Sequence, residues 1–437
     1  MNLDFRLPLQ FNLYLFANHL GVNLAKLKIL SYKIRWLLWD KSTSLFDFLL
    51  YQITPAQNKT TSQSDKTKHV VFVGEFLPPR IPRMAKWLKR EGNFYFVLLC
   101  HERGFVEKYT DPSFDETILF RNNWHLKRIL KGLKQIDLLH GFAPKSYYCN
   151  EARKSVNVPY IHDMQDVYAT YYGLNPDLNW LKKELPHERE CLEKADGVVA
   201  HCLEANVAFR KYGINKKPQT LFFPLYCDDD FFQEHTKKFN PNEIHLVYAG
   251  GIAGSHRNPK QYGNIQFHGL IETLTKQGLH FHIYPSPGNQ PIEYEEYEAI
   301  GKKNPLFHFH QPVAQQELAK ELGKYDFGIH LGFVNDAEHA QSPDKYKYCT
   351  TLKLFNFIEA GIPTIISDNL IYQAWILNRH CAGVEISRLD LESLPKKLNS
   401  VNYKILQKDL SEKRNLLSLK INTHRLAVFY FQLLGIR

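Results

Sequence analysis

The segment Thr351 to Ser367, TLKLFNFIEAGIPTIIS, constrains the architecture more than any other stretch of the chain. Leu352, Phe355 and Ile358 recur at the spacing of an amphipathic helix, and Gly361 supplies a left-handed cap after it. Pro363 then opens a β-branched run, Thr364 to Ile366, that reads as a strand buried on both faces. A helix feeding such a strand is one unit of a parallel α/β sheet. Lys353 stands in the first turn of this helix and Glu359 at its far end. A first-turn cation opposes the helix dipole by roughly 0.3–1 kcal/mol unless an anion is near, and a helix N-terminus itself attracts phosphate. Lys353 therefore fits beside a phosphate; a solvated lysine fits the local sequence as well.

The same alternation runs through most of the chain. His69 to Gly74, Tyr95 to Cys100, Ile136 to His140, Pro159 to His162 and Gly197 to His201 read as strands, with a helix from about Pro82 to Arg90 after the first. A second series starts at Ile244 with IHLVYAGG and continues through His280 to Tyr284, Leu306 to Phe309 and Phe327 to His330, with Gln315 to Tyr325 as a helix. Two doubly wound domains are expected, and in open α/β sheets ligands gather at the carboxyl ends of the strands. His140 and His162, each at an expected strand end, and the HDMQD turn with Asp163 and Asp166 are therefore candidates. A neutral imidazole orients or polarises a hydroxyl near pH 7, and a carboxylate beside it takes a proton or binds hydroxyls. The residues fit a structural hydrogen bond at a strand terminus equally well. Arg80 and Arg83 follow the first strand, where they suit either anion contacts or a solvated surface.

Length and composition accommodate this plan. At 437 residues, 44% of them hydrophobic, the chain exceeds the usual domain size of about 100–200 residues. Its seven cysteines include no CxxC pair, so neither a disulfide framework nor a metal site is indicated. No stretch approaches the ~18 apolar residues of a membrane span, and MNLDFRLPLQ lacks the form of a signal peptide, so a cytoplasmic location is expected. The net charge is +10, and residues 1–68 hold nine Lys or Arg against four Asp, half of the excess. Within them Leu27, Leu30, Ile34, Leu37 and Leu38 form one helical face with Trp36 and Trp39 at its borders. That composition suits an anionic membrane surface, at about 1 kcal/mol per basic residue, and it suits packing on the rest of the chain. No groove-reading motif accompanies the charge, which argues against a nucleic-acid partner. No GxSxG elbow is present either.

Glu359-Ala360-Gly361-Ile362-Pro363 is similar to the donor-binding signature of GT-B glycosyltransferases of the family 4 type. The resemblance implies that Glu359 binds the ribose of a nucleotide and that the position eight residues earlier, a glutamate in that family and Thr351 here, meets the donor sugar. YAGGIAGSHRNPKQYG resembles the family's glycine turn and basic pair, which makes Gly250, Gly251, Arg257 and Lys260 donor-binding candidates with Lys353. HDMQD resembles the family's acidic turn, giving His162 and Asp163 catalytic roles and His140 and Asp166 places on the acceptor side. The domains implied are a helical basic extension (1–53), a linker (54–68), an N-terminal Rossmann-like acceptor domain (69–236), a C-terminal Rossmann-like nucleotide-sugar domain (237–415) and a helix crossing back (416–437). The expected activity is retaining, metal-independent hexosyl transfer, without a cofactor, from a nucleoside diphosphate sugar to a glycan, lipid-linked or small hydroxylated acceptor. The setting would be polysaccharide biosynthesis at the inner face of a membrane. A nucleotide-sugar 2-epimerase and a non-catalytic binding protein on the same fold are the alternatives, and Thr351 favours the latter.

Overall fold

A computed structural model of the chain describes residues 41–57, 67–105, 113–237, 239–240, 242–287, 289, 291–333, 341–380 and 382–436. The expected helical face from Leu27 to Leu38 and most of the expected linker lie outside them. By contacts the chain divides into residues 1–58 with 120–134 and residues 59–119 with 135–437.

In the smaller unit a helix over residues 41–53 lies against the helix Asn123–Gly132, which Asn122 caps by accepting from the His125 N–H. The fully buried Asp47 carboxylate joins the two, accepting from Arg121 Nε at 2.8 Å and Asn122 Nδ2 at 2.8 Å, while Phe48 meets Trp124 edge-on at 4.6 Å. The opposite side of the first helix leaves Leu45, Phe46, Leu49 and Ile53 more than half exposed.

The larger unit holds two sheets. The first contains β1 (Lys68–Gly74), β2 (Phe94–His101), β3 (Glu116–Phe120), β4 (Leu138–Phe142), β5 (Tyr160–Met164), β6 (Gly197–Ala200) and β7 (Gln219–Phe222), ordered β3-β2-β1-β4-β5-β6-β7. The second contains β8 (His245–Gly250), β9 (His280–Pro285), β10 (Phe307–Phe309), β11 (Phe327–His330), β12 (Thr364–Ser367) and β13 (Gly383–Ile386), ordered β10-β9-β8-β11-β12-β13. Neighbours such as β1 and β4, or β8 and β11, run parallel, as near-continuous apolar strands covered on both faces require. Both are Rossmann-like, and in the second the strand order reverses between β8 and β11, so the carboxyl end of β8 is its topological switch point. The helix Leu419–Leu433 returns to the first sheet, where Leu426, Phe429 and Tyr430 share a core with Phe72, Trp87 and Phe96. Among the described residues no helix is long and apolar enough to cross a membrane, and six cysteines are buried without a disulfide.

The structure corrects two strand boundaries with consequences for the site. β4 ends at Phe142 rather than His140, and β5 at Met164 rather than His162. Each strand runs two residues further because its next residues also have covered faces to fill, so the expected end residues lie inside the sheet.

Candidate functional site

The helix Leu352–Glu359 begins at Thr351, whose extended backbone (φ −134°) starts the helix without a side-chain cap. The Leu354 N–H donates to the Thr351 carbonyl at 3.3 Å, and the N–H groups of Leu352 and Lys353 are left for another acceptor. Lys353 projects from this open turn, and among the described residues it has neither a hydrogen bond nor an ion pair; its ammonium lies 5.6 Å from the centre of the Tyr248 ring. Burial and then the neighbouring Lys345 push the amine down to about 8. An anion nearby would relieve both effects.

Gly250 closes β8 directly against this lysine. Its backbone adopts φ +152°, and an added Cβ would lie 2.3 Å from Lys353 Cε. Gly251 has open space where its side chain would be.

Lys353 and Thr351 are common to two cavities. One, of about 250 Å³, is lined by Gly250 and Gly251, the loop Tyr284–Pro287, Val313–Gln315, Leu318 and Asn356, with Pro79 of the first domain on its edge. The other, of about 180 Å³, is lined by Asp166, Tyr171, His330, Lys345, Thr350 and Gln373 among others. Polar groups in the second are held firmly. Asp166 sits in the left-handed region at φ 55°, unusual for a residue other than glycine, and accepts from the Tyr171 hydroxyl at 2.7 Å. Lys345 packs over the Tyr171 ring at 4.4 Å and donates to Gln341 Oε1 at 3.0 Å. Burial, reinforced by Lys353 and Lys345, pushes His330 down to about 3 and keeps its imidazole neutral.

The expected site residues therefore separate. Gly250, Gly251, Lys353 and Asp166 come together at the two cavities. Glu359 does not. It is 1% exposed, and its carboxylate accepts from Arg83 Nη1 at 2.6 Å, Arg83 Nη2 at 3.3 Å and the Asp228 N–H at 2.8 Å. Burial pushes this carboxyl up while Arg83 pulls it back. Six helical residues rotate Glu359 about 120° away from Lys353, whereas three residues keep Asn356 within about 60° of it. Asn356 lines the larger cavity, its Oδ1 accepting from Gln315 Nε2 at 3.2 Å.

Arg257 and Lys260 are likewise absent from both linings. Arg257 Nε donates to the buried Glu293 at 3.0 Å, and Lys260 is exposed on the short helix Pro259–Tyr262. His140, His162 and Asp163 lie within their strands and are at most 1% exposed. His140 stacks on Phe72 at 4.8 Å and pairs through Nδ1 with the Tyr430 hydroxyl, which ties the C-terminal helix to the sheet. His162 Nδ1 pairs with the Tyr160 hydroxyl at 2.8 Å, and burial holds it down to about 4. Burial raises the Asp163 carboxyl, but Arg80 and the His140 ring beside it outweigh that and hold it down to about 2. Arg80 is spent on Asp163 Oδ2 at 3.3 Å and on the carbonyls of Phe223 and Pro224 at 3.0 Å, so neither it nor Arg83 is open to a ligand anion.

Asn356, Gln315, His330 and Lys345 escaped the sequence reading. The strand-end rule applied to the first domain would have found His330 at the close of β11. Asn356 was recoverable from helical phase, three residues after Lys353.

Residues 263–428 match the family model described as glucosyltransferase 3-like, C-terminal domain. None of the curated proteins matches the sequence. Among solved structures, sucrose-phosphate synthase from Thermosynechococcus elongatus is similar with a TM-score of 0.59 at 13% identity, over 84% of this chain and 99% of that one. A glycosyltransferase from Rickettsia africae gives 0.57 at 12% identity, over 85% and 99%. Anabaena HepE, in complex with UDP and glucose, gives 0.58 at 11% identity, over 84% and 99%. The chain has the GT-B fold, and residues 263–428 are similar to the glucosyltransferase 3-like C-terminal domain.

Proposed function

We propose that the chain transfers a hexose from a nucleoside diphosphate sugar, with the diphosphate held at Lys353 where the two cavities meet. The observation that carries this reading is the unpaired lysine at an uncapped helix N-terminus, shared by both linings. The nucleoside occupies the larger cavity, its base between the Pro285 and Val313 segments. Asn356 and Gln315, in place of Glu359, offer amides to the ribose. The sugar occupies the smaller cavity among Asp166, His330, Lys345 and Thr351. The solved HepE structure with UDP and glucose supports a uridine and hexose pairing.

Departure of the diphosphate concentrates negative charge at the bridging oxygen. Donors fixed there beforehand stabilise that charge without reorganising. Lys353 and the first helical N–H groups are the groups in position. Asp166 is the carboxylate placed to hold an acceptor or sugar hydroxyl. Release of nucleoside diphosphate that requires an acceptor supports transfer; release of an epimerised sugar without acceptor, or binding without turnover, assigns the fold a different use.

Gly250→Ala tests the close approach. The new methyl group displaces Lys353, and the backbone strain adds about 1–3 kcal/mol. Diphosphate binding and transfer are expected to fall by roughly tenfold or more, since about 1.5–3 kcal/mol attaches to a charged hydrogen bond. Calorimetry and initial rates measure this; wild-type affinity in a folded variant would mean that the lysine is not needed where it stands.

We further assign the exposed stripe Leu45, Phe46, Leu49 and Ile53 to an anionic membrane surface. Replacing Leu49 and Ile53 by Ser should abolish flotation of the full chain with anionic vesicles while neutral vesicles bind neither form. Equal flotation of both proteins would remove the assignment.

A further inference from the structure

The amino end of the second sheet carries five histidines on one face. β8 contributes His245, β9 His280 and His282, and the segment from β10 His308 and His310, with His245 opposite His280 and His308 opposite His282 in register. Their rings stack, at 4.2 Å between His245 and His280 and 4.2 Å between His282 and His308. Apolar β-branched residues would cover such a face at less cost than five imidazoles. At one end of the array stands Glu243, its side chain 43% exposed, 3.3 Å from His245 Nε2 and 4.0 Å from His280 Nε2.

We propose that Glu243, His245 and His280 form a site for a divalent metal ion of the Zn²⁺ type. One ligand atom from each lies within 4.8 Å of the others. Ligands about 2.0–2.1 Å from a tetrahedral zinc stand roughly 3.3 Å apart. The pair with His245 is already at that spacing, and a small rotation of the exposed carboxylate brings in His280. The fourth position faces solvent and takes water.

A second observation concerns the other nitrogen of each ring. His245 Nδ1 lies 2.9 Å from His282 Nε2, His280 Nδ1 lies 3.0 Å from His308 Nε2, and His282 Nδ1 lies 2.9 Å from His310 Nε2. The tautomer in which each Nδ1–H donates along these chains frees the Nε2 atoms of His245 and His280 for the ion; without the ion, His245 Nε2 pairs with Glu243 Oε2 at 3.3 Å. Histidine ligands are oriented in this way by the partner of their other nitrogen.

The other convergent group, His201, Cys202 and Glu204, lacks these properties. Its carboxyl is pushed up to about 8 and its thiol well above the usual range by burial, and His201 Nδ1 is taken by the Met164 carbonyl. The proposed site lies at the opposite end of β8 from Gly250, so the ion fastens the entry to the strand and takes no part at Lys353. Glu243 and His245 flank the start of β8 while His280 opens β9, 35 residues later, so no closely spaced metal motif announces the site.

The test is titration of the chelator-stripped full chain with Zn²⁺ by calorimetry and with Co²⁺ by visible absorption. The expected result is a single equivalent bound with a tetrahedral cobalt spectrum. Glu243→Gln and His280→Ala should each weaken Zn²⁺ by roughly tenfold or more, and His308→Ala, one shell out, by roughly 10- to 100-fold. Nucleoside diphosphate affinity should stay as in the wild type. Glu243 is exposed enough that its glutamine variant keeps the fold, which melting without metal verifies. No uptake by the wild type, or undiminished uptake by both ligand variants, overturns the proposal.

Discussion

Lys353→Ala is expected to lose roughly 10- to 100-fold in affinity for a nucleoside diphosphate, equivalent to about 1.5–3 kcal/mol for a charge-assisted hydrogen bond. Affinity for the parent nucleoside should be nearly unchanged. The contrast follows from position: Lys353 stands at the junction of the cavities, and the larger one, with Asn356 and Val313, is still intact in the variant. A full ion pair at 4 Å would be worth about 4 kcal/mol at an effective dielectric of ~20, an upper bound for this interaction. The wild type should show a matching pH effect. Burial and Lys345 hold its amine down to about 8, so diphosphate affinity weakens as pH rises through that value and binding near it takes up a proton. The sign for the fold is opposite: the unfolded chain holds this proton more tightly, so stability from this group rises between about pH 8 and 10.4. Calorimetry in buffers of different ionisation enthalpy measures both. Equal losses for diphosphate and nucleoside in Lys353→Ala would mean that the lysine shapes the cavity rather than holding phosphate.

The second large effect is expected at the ion pair between Arg83 and Glu359, which are 276 residues apart in sequence and belong to different Rossmann-like domains. Both are buried, with side-chain exposures of 6% and 1%. Arg83→Ala leaves a carboxylate buried without its cation and should destabilise the chain by about 3–5 kcal/mol. The pair Arg83→Met with Glu359→Leu removes both charges together and should recover much of that loss. Glu359→Gln discriminates between the two roles considered for this residue. A joint between domains lowers the melting temperature and leaves nucleoside affinity alone; a ribose ligand would do the reverse. Denaturant melts alongside nucleoside titration give the answer.

The architecture was legible because buried parallel strands write themselves as short apolar runs separated by helical periods. His69 to Gly74 and Thr364 to Ile366 sit within one residue of the observed strands at each end. The edge strands β3 and β13 give no continuous apolar run, since ETILF is exposed over most of its length and GVEI alternates buried with less buried residues. For the site, Lys353 was visible as a cation where the helix dipole disfavours one. Gly250 was visible as a glycine at a strand end. What failed was angular and axial phase. A strand that continues for two further residues moved His140, His162 and Asp163 from the rim to the interior. Six residues around a helix moved Glu359 from the cavity to the domain joint. Arg80 and Arg83 were invisible as structural cations because their partners Asp163 and Glu359 are distant in sequence. Only the tertiary fold reveals such pairs.

A crystal structure of the chain with a nucleoside diphosphate tests the central claim most directly. The account predicts the diphosphate within hydrogen-bonding distance of Lys353 Nζ and the first N–H groups of the helix Leu352–Glu359, with the nucleoside beside Asn356. A diphosphate seated instead on Arg257 and Lys260, or a nucleoside bound through Glu359, would contradict it.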